Sequence, residues 1–444
     1  MKVLSLSTSD LIGGAPRAAY RLHQGLIAAG VDAQMLVQRK MSDNPQVIGA
    51  TNKLLKGLAI TRPTLDALPL LFYPQRDRTP NIYSCQWLPS RINAQIQTLN
   101  PDLIHLHWIC GGYFPVETMA KFNRPLVWTL HDMWPFTGGC HYSQQCDRYQ
   151  QSCGQCPLLK SPKGLAAVFG TESSDPKRAL ASRHDRTWDF SRWLWQRKAK
   201  AWQNLNLTIV TPSKWLASCA KASSLFQNLT IKVIPNGLDI HKYQPIDQQL
   251  AKKLLNLPLN KQIILFGAMG GTSDPRKGFQ LLQTALQHLK LSISPERVEL
   301  LVYGSSQPAE SVDLGFKTHY LGYLHDDISL AIAYAAAQVM VVPSTQEAFG
   351  QTASEALACG TPVVAFNTTG LKDIIDSQQN GYLATAFDPQ DLARGIAWIL
   401  ESPQRWQQLS ESARAKVIQE FTIPIQSDRY RQLFQEILVE QNAT

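Results

Sequence analysis

Short apolar runs of strand length recur along the whole chain, and stretches with helical periodicity lie between them. In the first half the runs are KVLSLSTS, DAQMLVQ, PDLIHLHW, PLVWTLHD and LNLTIVT; in the second they are KQIILFGAM, VELLVYGS, AQVMVVPS and TPVVAFN. Runs that are apolar throughout mark strands buried on both faces, as in parallel sheets covered by helices. The first intervening segment places Ala18, Leu22, Leu26 and Ala29 on one helical face and stops at Gly30, which makes a βαβ unit. Repetition of this pattern in both halves predicts an α/β chain of two doubly wound, Rossmann-like domains. The break is expected at 235–245, where Pro235, Asn236 and Gly237 fall together. The expected division is 1–237, 238–424 and a terminal helix 425–444, crossing back to the first domain. That helix carries Tyr430, Leu433, Phe434 and Ile437 on one face.

At 444 residues with 44% hydrophobic and 17% charged residues, the chain has enough apolar side chain for large cores, and global disorder is excluded. No apolar run approaches the ~18 residues of a spanning helix. The opening residues read as a buried strand rather than a signal peptide, so a cytoplasmic location is expected. Net charge is +9, but it is uneven: residues 1–205 hold 24 Lys or Arg against 13 Asp or Glu, whereas the remainder is nearly neutral. The basic half is either an ordinary solvated surface or the seat of an anionic partner such as a membrane headgroup layer or a phosphorylated substrate.

The segment VVPSTQEAFGQTASEALACGTPVV, residues 341–364, is the most specific signal. A buried strand ends at Pro343-Ser344, and a helix begins near Gly350. Free amides and the positive end of the helix dipole at Gly350, Gln351 and Thr352 suit a diphosphate. Glu355, about 7 Å further along the helix, is placed to accept from ribose hydroxyls. Glu347, ahead of the helix, is free to reach a sugar.

Glu347-x7-Glu355 in this context resembles the E-x7-E signature of retaining glycosyltransferases of family 4, which have the GT-B fold. TPSKWLA, IPNGLD, RKG, IHLHW and TLHD follow in the family's order, and HDMWPFTGGCHY with the cysteines after it is similar to colanic-acid type transferases of exopolysaccharide synthesis. The resemblance implies that Glu347 bonds the donor sugar, that Phe349, Gly350, Gln351 and Thr352 contact sugar or diphosphate, and that Glu355 holds the ribose. Lys277, and Arg276 beside it, would neutralise the diphosphate without a divalent metal, so no cofactor is required for catalysis. Gly267 matches a strand-end glycine, but Ala268 stands where the family usually has Arg. In the first domain Gly13-Gly14 resembles the loop facing the phosphates, Arg17 would add a cation, and His131 would approach the reacting sugar. The implied partners are a nucleotide diphosphate sugar and a lipid-linked or saccharide acceptor at the inner face of the cytoplasmic membrane; no nucleic acid is implied. A non-catalytic nucleotide-sugar-binding subunit and a GT-B epimerase or phosphorylase stay open as alternatives. A nicotinamide enzyme is disfavoured, because Gly13-Gly14-Ala15 lacks the G-x-G-x-x-G spacing.

Cys140, Cys146, Cys153 and Cys156 fall close together within an insert at about 140–200. Four thiols with one C-x2-C knuckle suit a structural zinc ion; disulfides and free thiols are the alternatives. Further on, RTWDFSRWLWQRKAKAWQNL puts Trp188, Trp195, Ala199 and Trp202 on one side of a helix, either as core or as a membrane-facing surface. Segment 54–73 is apolar, but Pro63 and Pro69 argue against a long helix there.

Overall fold

In the computed structural model the described residues are 1–79, 82–160, 189–267, 270, 274–306 and 313–443. The first sheet is built from β1 (Lys2–Ser9), β2 (Asp32–Arg39), β3 (Val47–Ile48), β4 (Leu103–Leu106), β5 (Leu126–Thr129), β6 (Leu207–Thr211) and β7 (Thr230–Val233), all parallel, in the order β3-β2-β1-β4-β5-β6-β7. The second is built from β8 (Gln262–Gly267), β9 (Val298–Tyr303), β10 (Thr318–Tyr320), β11 (Val339–Val342), β12 (Val363–Phe366) and β13 (Gly381–Ala384), again all parallel, in the order β10-β9-β8-β11-β12-β13. Strand order reverses between β1 and β4 and between β8 and β11. Such reversals open a crevice beyond the carboxyl ends of the strands, where ligands of doubly wound sheets bind.

The chain leaves the first sheet after Val233 and returns through Thr422. The two crossings touch: the Leu238 amide donates to Phe421 O at 2.8 Å and the Ile423 amide to Leu238 O at 3.2 Å. The last helix, Ile423–Ala443, then packs Tyr430, Leu433, Phe434 and Ile437 onto Val3, Leu22, Leu26, Leu103 and Val127 of the first domain.

One expectation changes and one open alternative is decided. Pro63 does not end its helix: α2 runs Lys53–Asp66 through it, and a short 3-10 turn, Leu68–Phe72, follows. Proline cannot bond the carbonyl four residues back, and that carbonyl, Ala59 O, accepts from Gln38 Nε2 at 3.3 Å instead. The aromatic helix, Phe190–Trp202, is core rather than membrane surface. Trp202 is buried, edge to face with Trp128 and Trp134, and Lys198 lies buried with Nζ 3.5 Å from the Trp134 ring centre. Trp188 and Ala268 lie outside the described residues. Exposed apolar side chains gather elsewhere: Leu54, Leu55, Leu58, Ile60, Leu68, Leu71 and Phe72 all face outward from α2 and the turn after it.

Candidate active site between the two sheets

Strand β11 delivers the chain to a loop that ends at Gly350, and the helix Gln351–Ala358 begins there without a side-chain cap. Gly350 has φ 111°, a left-handed conformation, and a side chain on it would meet Leu371 at 2.7 Å. The helix start, Glu347, Lys277, Tyr142 and His131 surround a cavity of about 150 Å³. Uncapped amides at a helix N-terminus favour anions.

Lys277 reaches this cavity from a one-turn 3-10 helix, Pro275–Lys277, whose Arg276 amide donates to Asp274 Oδ1 at 2.9 Å. Gly278 follows with φ 72°; a Cβ there would fall 1.9 Å from Pro343 O, so only glycine seats this turn against the exit of β11. The seat sets Lys277 Nζ 2.5 Å from Glu347 Oε1. Arg276 stands behind the pair, 3.8 Å from Glu347, 2.9 Å from Asp274, and 4.3 Å from the Tyr142 ring centre. Burial pushes the Glu347 carboxyl up, but the Lys277 ammonium and Arg276 guanidinium more than offset it and hold the group below the usual carboxylate range. Burial likewise holds the Lys277 ammonium below its ordinary value, against the pull of Glu347. Arg276 lines neither cavity of the cleft; it backs the Lys277–Glu347 pair.

Glu355 sits in the same helix, buried, and both its oxygens are taken. Oε1 accepts from Arg21 Nη1 and Oε2 from the Tyr334 hydroxyl, each at 3.0 Å. Arg21 comes from α1 (Gly14–Ala28) of the first domain, and its other nitrogen donates to Tyr243 Oη at 3.0 Å and Asp327 Oδ1 at 3.1 Å. The carboxylate expected to hold a ribose is therefore already tied to a cation from across the cleft. A second cavity of about 830 Å³, lined by Gly13, Arg17, Arg21, Tyr303 and Glu355, opens beside it.

Other expected residues fall as follows. Gly14 O accepts from Gln351 Nε2 at 3.0 Å, so the glycine loop does face the helix start. Arg17 points away from the small cavity and donates to His325 O at 2.5 Å. Gly267 lines neither cavity; it lies under the Tyr303 ring, which a Cβ would meet at 2.2 Å. Phe349 borders the small cavity, but its ring stacks edge to face on Phe421 in the core, 5.6 Å between centres. His131 lines the small cavity, with Nε2 3.1 Å from His107 Nδ1, and burial lowers its pKa to about 4 although Asp132 opposes this. Asp132 does not hold His131. It accepts instead from Trp108 Nε1 and the Trp134 amide at 2.9 Å each, and pairs with His141 Nδ1 at 2.7 Å. His105 and His107 share one side, 4.1 Å between ring centres, but both are buried beneath the cleft.

The four clustered cysteines border one small cavity of about 20 Å³, and none of the eight cysteines forms a disulfide. The Gly138 amide donates to Cys153 Sγ at 3.0 Å. Cys156 is lowered to about 7, first by the Cys140 thiol, then, against burial, by the amides of Leu158 and Leu159. Among the described residues no group of three His, Cys, Asp or Glu stands ready-made in metal-ligand geometry. This loop carries the N-domain's reach across the cleft. Tyr142 lies on Arg276, the Gln144 amide donates to Gln346 Oε1, and Gln346 Nε2 donates to Gln144 O, both at 3.0 Å.

Sequence reasoning missed Arg21, Tyr142 and Tyr334. Arg21 lies one helical turn beyond Arg17, which was a usable signal; Tyr142 and Tyr334 had none.

The sequence matches the family model for Glycosyltransferase Family 4 over residues 12–242 and that for Glycosyl transferases group 1 over 247–416. A D-inositol 3-phosphate glycosyltransferase of Acidothermus cellulolyticus is 30% identical over 410 residues, covering 88% of this chain and 78% of that protein. The chain belongs to glycosyltransferase family 4. Its fold is GT-B, as in the sucrose-phosphate synthase of Thermosynechococcus elongatus (TM-score 0.67, 20% identity, 99% of this chain and all of the other). Anabaena HepE in complex with UDP and glucose superposes with TM-score 0.61 at 19% identity, over 98% of this chain and 99% of that one. With other family 4 relatives the match is shorter. The D-inositol 3-phosphate glycosyltransferase 2 of Catenulispora acidiphila is 33% identical over 197 residues, 41% of this chain and 45% of that protein. The match thus spans less than half the length of several such curated relatives.

Proposed function

We propose that this chain is a retaining glycosyltransferase that moves a sugar from a nucleotide diphosphate donor to a lipid-linked or saccharide acceptor. The observation that carries the reading is the Lys277–Glu347 pair facing an uncapped helix start in one cavity at the carboxyl ends of the strands. In this reading the amides of Gln351 and Thr352 and the Lys277 ammonium take the departing diphosphate, a preorganised charge that costs no rearrangement as the bond breaks. Glu347, held ionised, accepts from the donor sugar's hydroxyls. His131, kept neutral, offers a hydrogen bond rather than a charge to the sugar. Glu355 takes the ribose by exchanging partners with Arg21.

No side chain serves as a nucleophile: Glu355 is committed elsewhere, so the two-carboxylate arrangement of retaining glycosidases is not assembled. The acceptor's proton leaves with the diphosphate oxygen, and attack occurs on the face the diphosphate vacates. The UDP named for HepE makes a uridine nucleotide the first donor to try.

The exposed apolar side chains of α2 and its following turn, with Lys53 and Lys56 among them, support peripheral contact with an anionic membrane. No described helix is long and apolar enough to cross a membrane. A place in exopolysaccharide synthesis at the inner face of the cytoplasmic membrane fits this surface. The test is a screen of radiolabelled UDP-, GDP- and ADP-sugars with a membrane lipid extract. Transfer with the anomeric configuration retained is expected. Conversion of the donor without an acceptor, a requirement for orthophosphate, or inversion at the anomeric carbon would refute it.

A further inference from the structure

A further cavity lies wholly on the first domain, and the reading above leaves it unassigned. It holds about 520 Å³, within the range of small-ligand sites. Its floor is the carboxyl ends of the central strands: Thr8 and Ser9 from β1, Arg39 from β2, and Trp108 just past β4. In a doubly wound sheet that is where a ligand sits. Its far wall comes from α2 and the turn behind it, through Pro63 and Leu70. The apolar outer face of that same element is the exposed patch described above.

Arginines outnumber acids in the lining of this cavity, three to two. Arg39, Arg76 and Arg78 all line it, and among the described residues none of the three forms an ion pair. Arg76 is braced rather than neutralised: Nη1 donates to Leu70 O at 2.8 Å and Tyr73 O at 3.2 Å. The two acids of the lining accept hydrogen bonds from neutral donors. Asp66 accepts from the Cys85 amide at 3.0 Å, and Asp77 from the amide and hydroxyl of Thr79 at 2.8 and 2.7 Å. Three guanidinium groups against two carboxylates, in a pocket that also presents Trp108 and Tyr83, suit a ring-bearing ligand with an anionic substituent. The planar fork of arginine matches phosphate and carboxylate oxygens in pairs.

The cavity also leads to the reaction. Ile12 lines both it and the 830 Å³ cavity, and Pro16 is the neighbour of Ala15, which lines the small one. Trp108 stands between the cavity and Asp132, the residue after His131.

We infer that this cavity receives the acceptor and selects one bearing a phosphate or carboxylate group, which Arg39, Arg76 and Arg78 hold. The inference rests on the transferase reading and adds the acceptor's chemical class. An anionic head with an apolar tail also fits the wall, since the charged end meets the arginines while the tail lies toward the outer face of α2.

The test uses three matched probes in the presence of saturating nucleotide: octyl glucoside, octyl glucuronide and octyl glucoside 6-phosphate, each below its micellar concentration. Binding is followed by titration calorimetry on the full chain. One or both anionic probes are expected to bind about tenfold or more tightly than the neutral one, the scale of a charged hydrogen bond. Arg39→Gln with Arg78→Gln, which gives up only the bond from Arg78 Nη2 to Pro74 O at 3.3 Å, should abolish that preference and leave nucleotide binding unchanged. A larger loss with phosphate than with glucuronide, or the reverse, identifies which anion the site was built for. Equal binding of all three probes, no binding of either anionic probe, or a preference that survives the double substitution would overturn the inference. UDP, GDP and ADP are titrated in parallel: failure of all three to bind would count against the transferase reading instead.

Discussion

Replacing Lys277 by Met removes one charge from the centre of the proposed chemistry and keeps most of the side-chain volume. Nζ lies 2.5 Å from Glu347 Oε1, and the two side chains are only 17% and 12% exposed. Breaking a buried pair by deleting one partner costs about 3–5 kcal/mol when nothing else compensates the remaining charge. Arg276, 3.8 Å from the same oxygen, stays in place, so a loss near the bottom of that range, about 3 kcal/mol, is expected. If the ammonium stabilises the leaving diphosphate, turnover falls by about 10²–10³ as well, the usual effect of deleting one preorganised donor. The double variant Lys277→Met with Glu347→Gln separates the two effects. It leaves no lone buried charge, so most of the stability returns; turnover does not. Urea unfolding and kcat at saturating donor, measured on both variants, read the two quantities independently. A kcat for Lys277→Met within about threefold of the parent, alongside the stability loss, would show a structural ion pair and refute the leaving-group role.

Glu355→Ala is expected to weaken nucleotide binding about ten- to a hundredfold, the worth of hydrogen bonds to a charged group, with a small stability loss because Arg21 keeps Asp327 and Tyr243; calorimetry with unchanged affinity would remove Glu355 from the site. Burial lowers the pKa of His23 and of His131 to about 4 and that of His105 to about 3. From about pH 6.5 downward the unfolded chain therefore binds protons that the folded chain refuses, and stability falls with pH through that window; urea midpoints that stay level from pH 7 to 4.5 would contradict this. Leu58→Glu with Leu71→Glu should abolish co-sedimentation with vesicles containing anionic phosphatidylglycerol and leave donor hydrolysis intact; unchanged sedimentation would dismiss the α2 surface as the contact.

The sheets were legible because parallel strands covered on both faces must be apolar throughout, as VMVV in β11 and LVWT in β5 are. The Glu347–Glu355 segment was legible because glycine, helix start and acids sit in one local stretch. What escaped detection depends on distant parts of the chain. Arg21 meets Glu355 across 334 positions, and no local pattern encodes that meeting. Pro63 looked like a helix end because Gln38, which satisfies the carbonyl the proline leaves, lies on another strand. Asp132 is adjacent to His131 in sequence, yet its carboxylate turns toward Trp108 and His141.

The paired crossings at Leu238 and Thr422 bear on how this chain can be dissected. A fragment stopping at Gly237 would leave Val3, Leu22 and Leu26 facing water where Tyr430, Leu433 and Phe434 normally cover them. The amino-terminal lobe is thus not a separable module: it needs the final twenty or so residues, supplied in trans or by a shortcut that joins the ends of the excised second lobe. A proteolytic nick near Gly237, by contrast, would cut one of two tethers, and the halves would stay together.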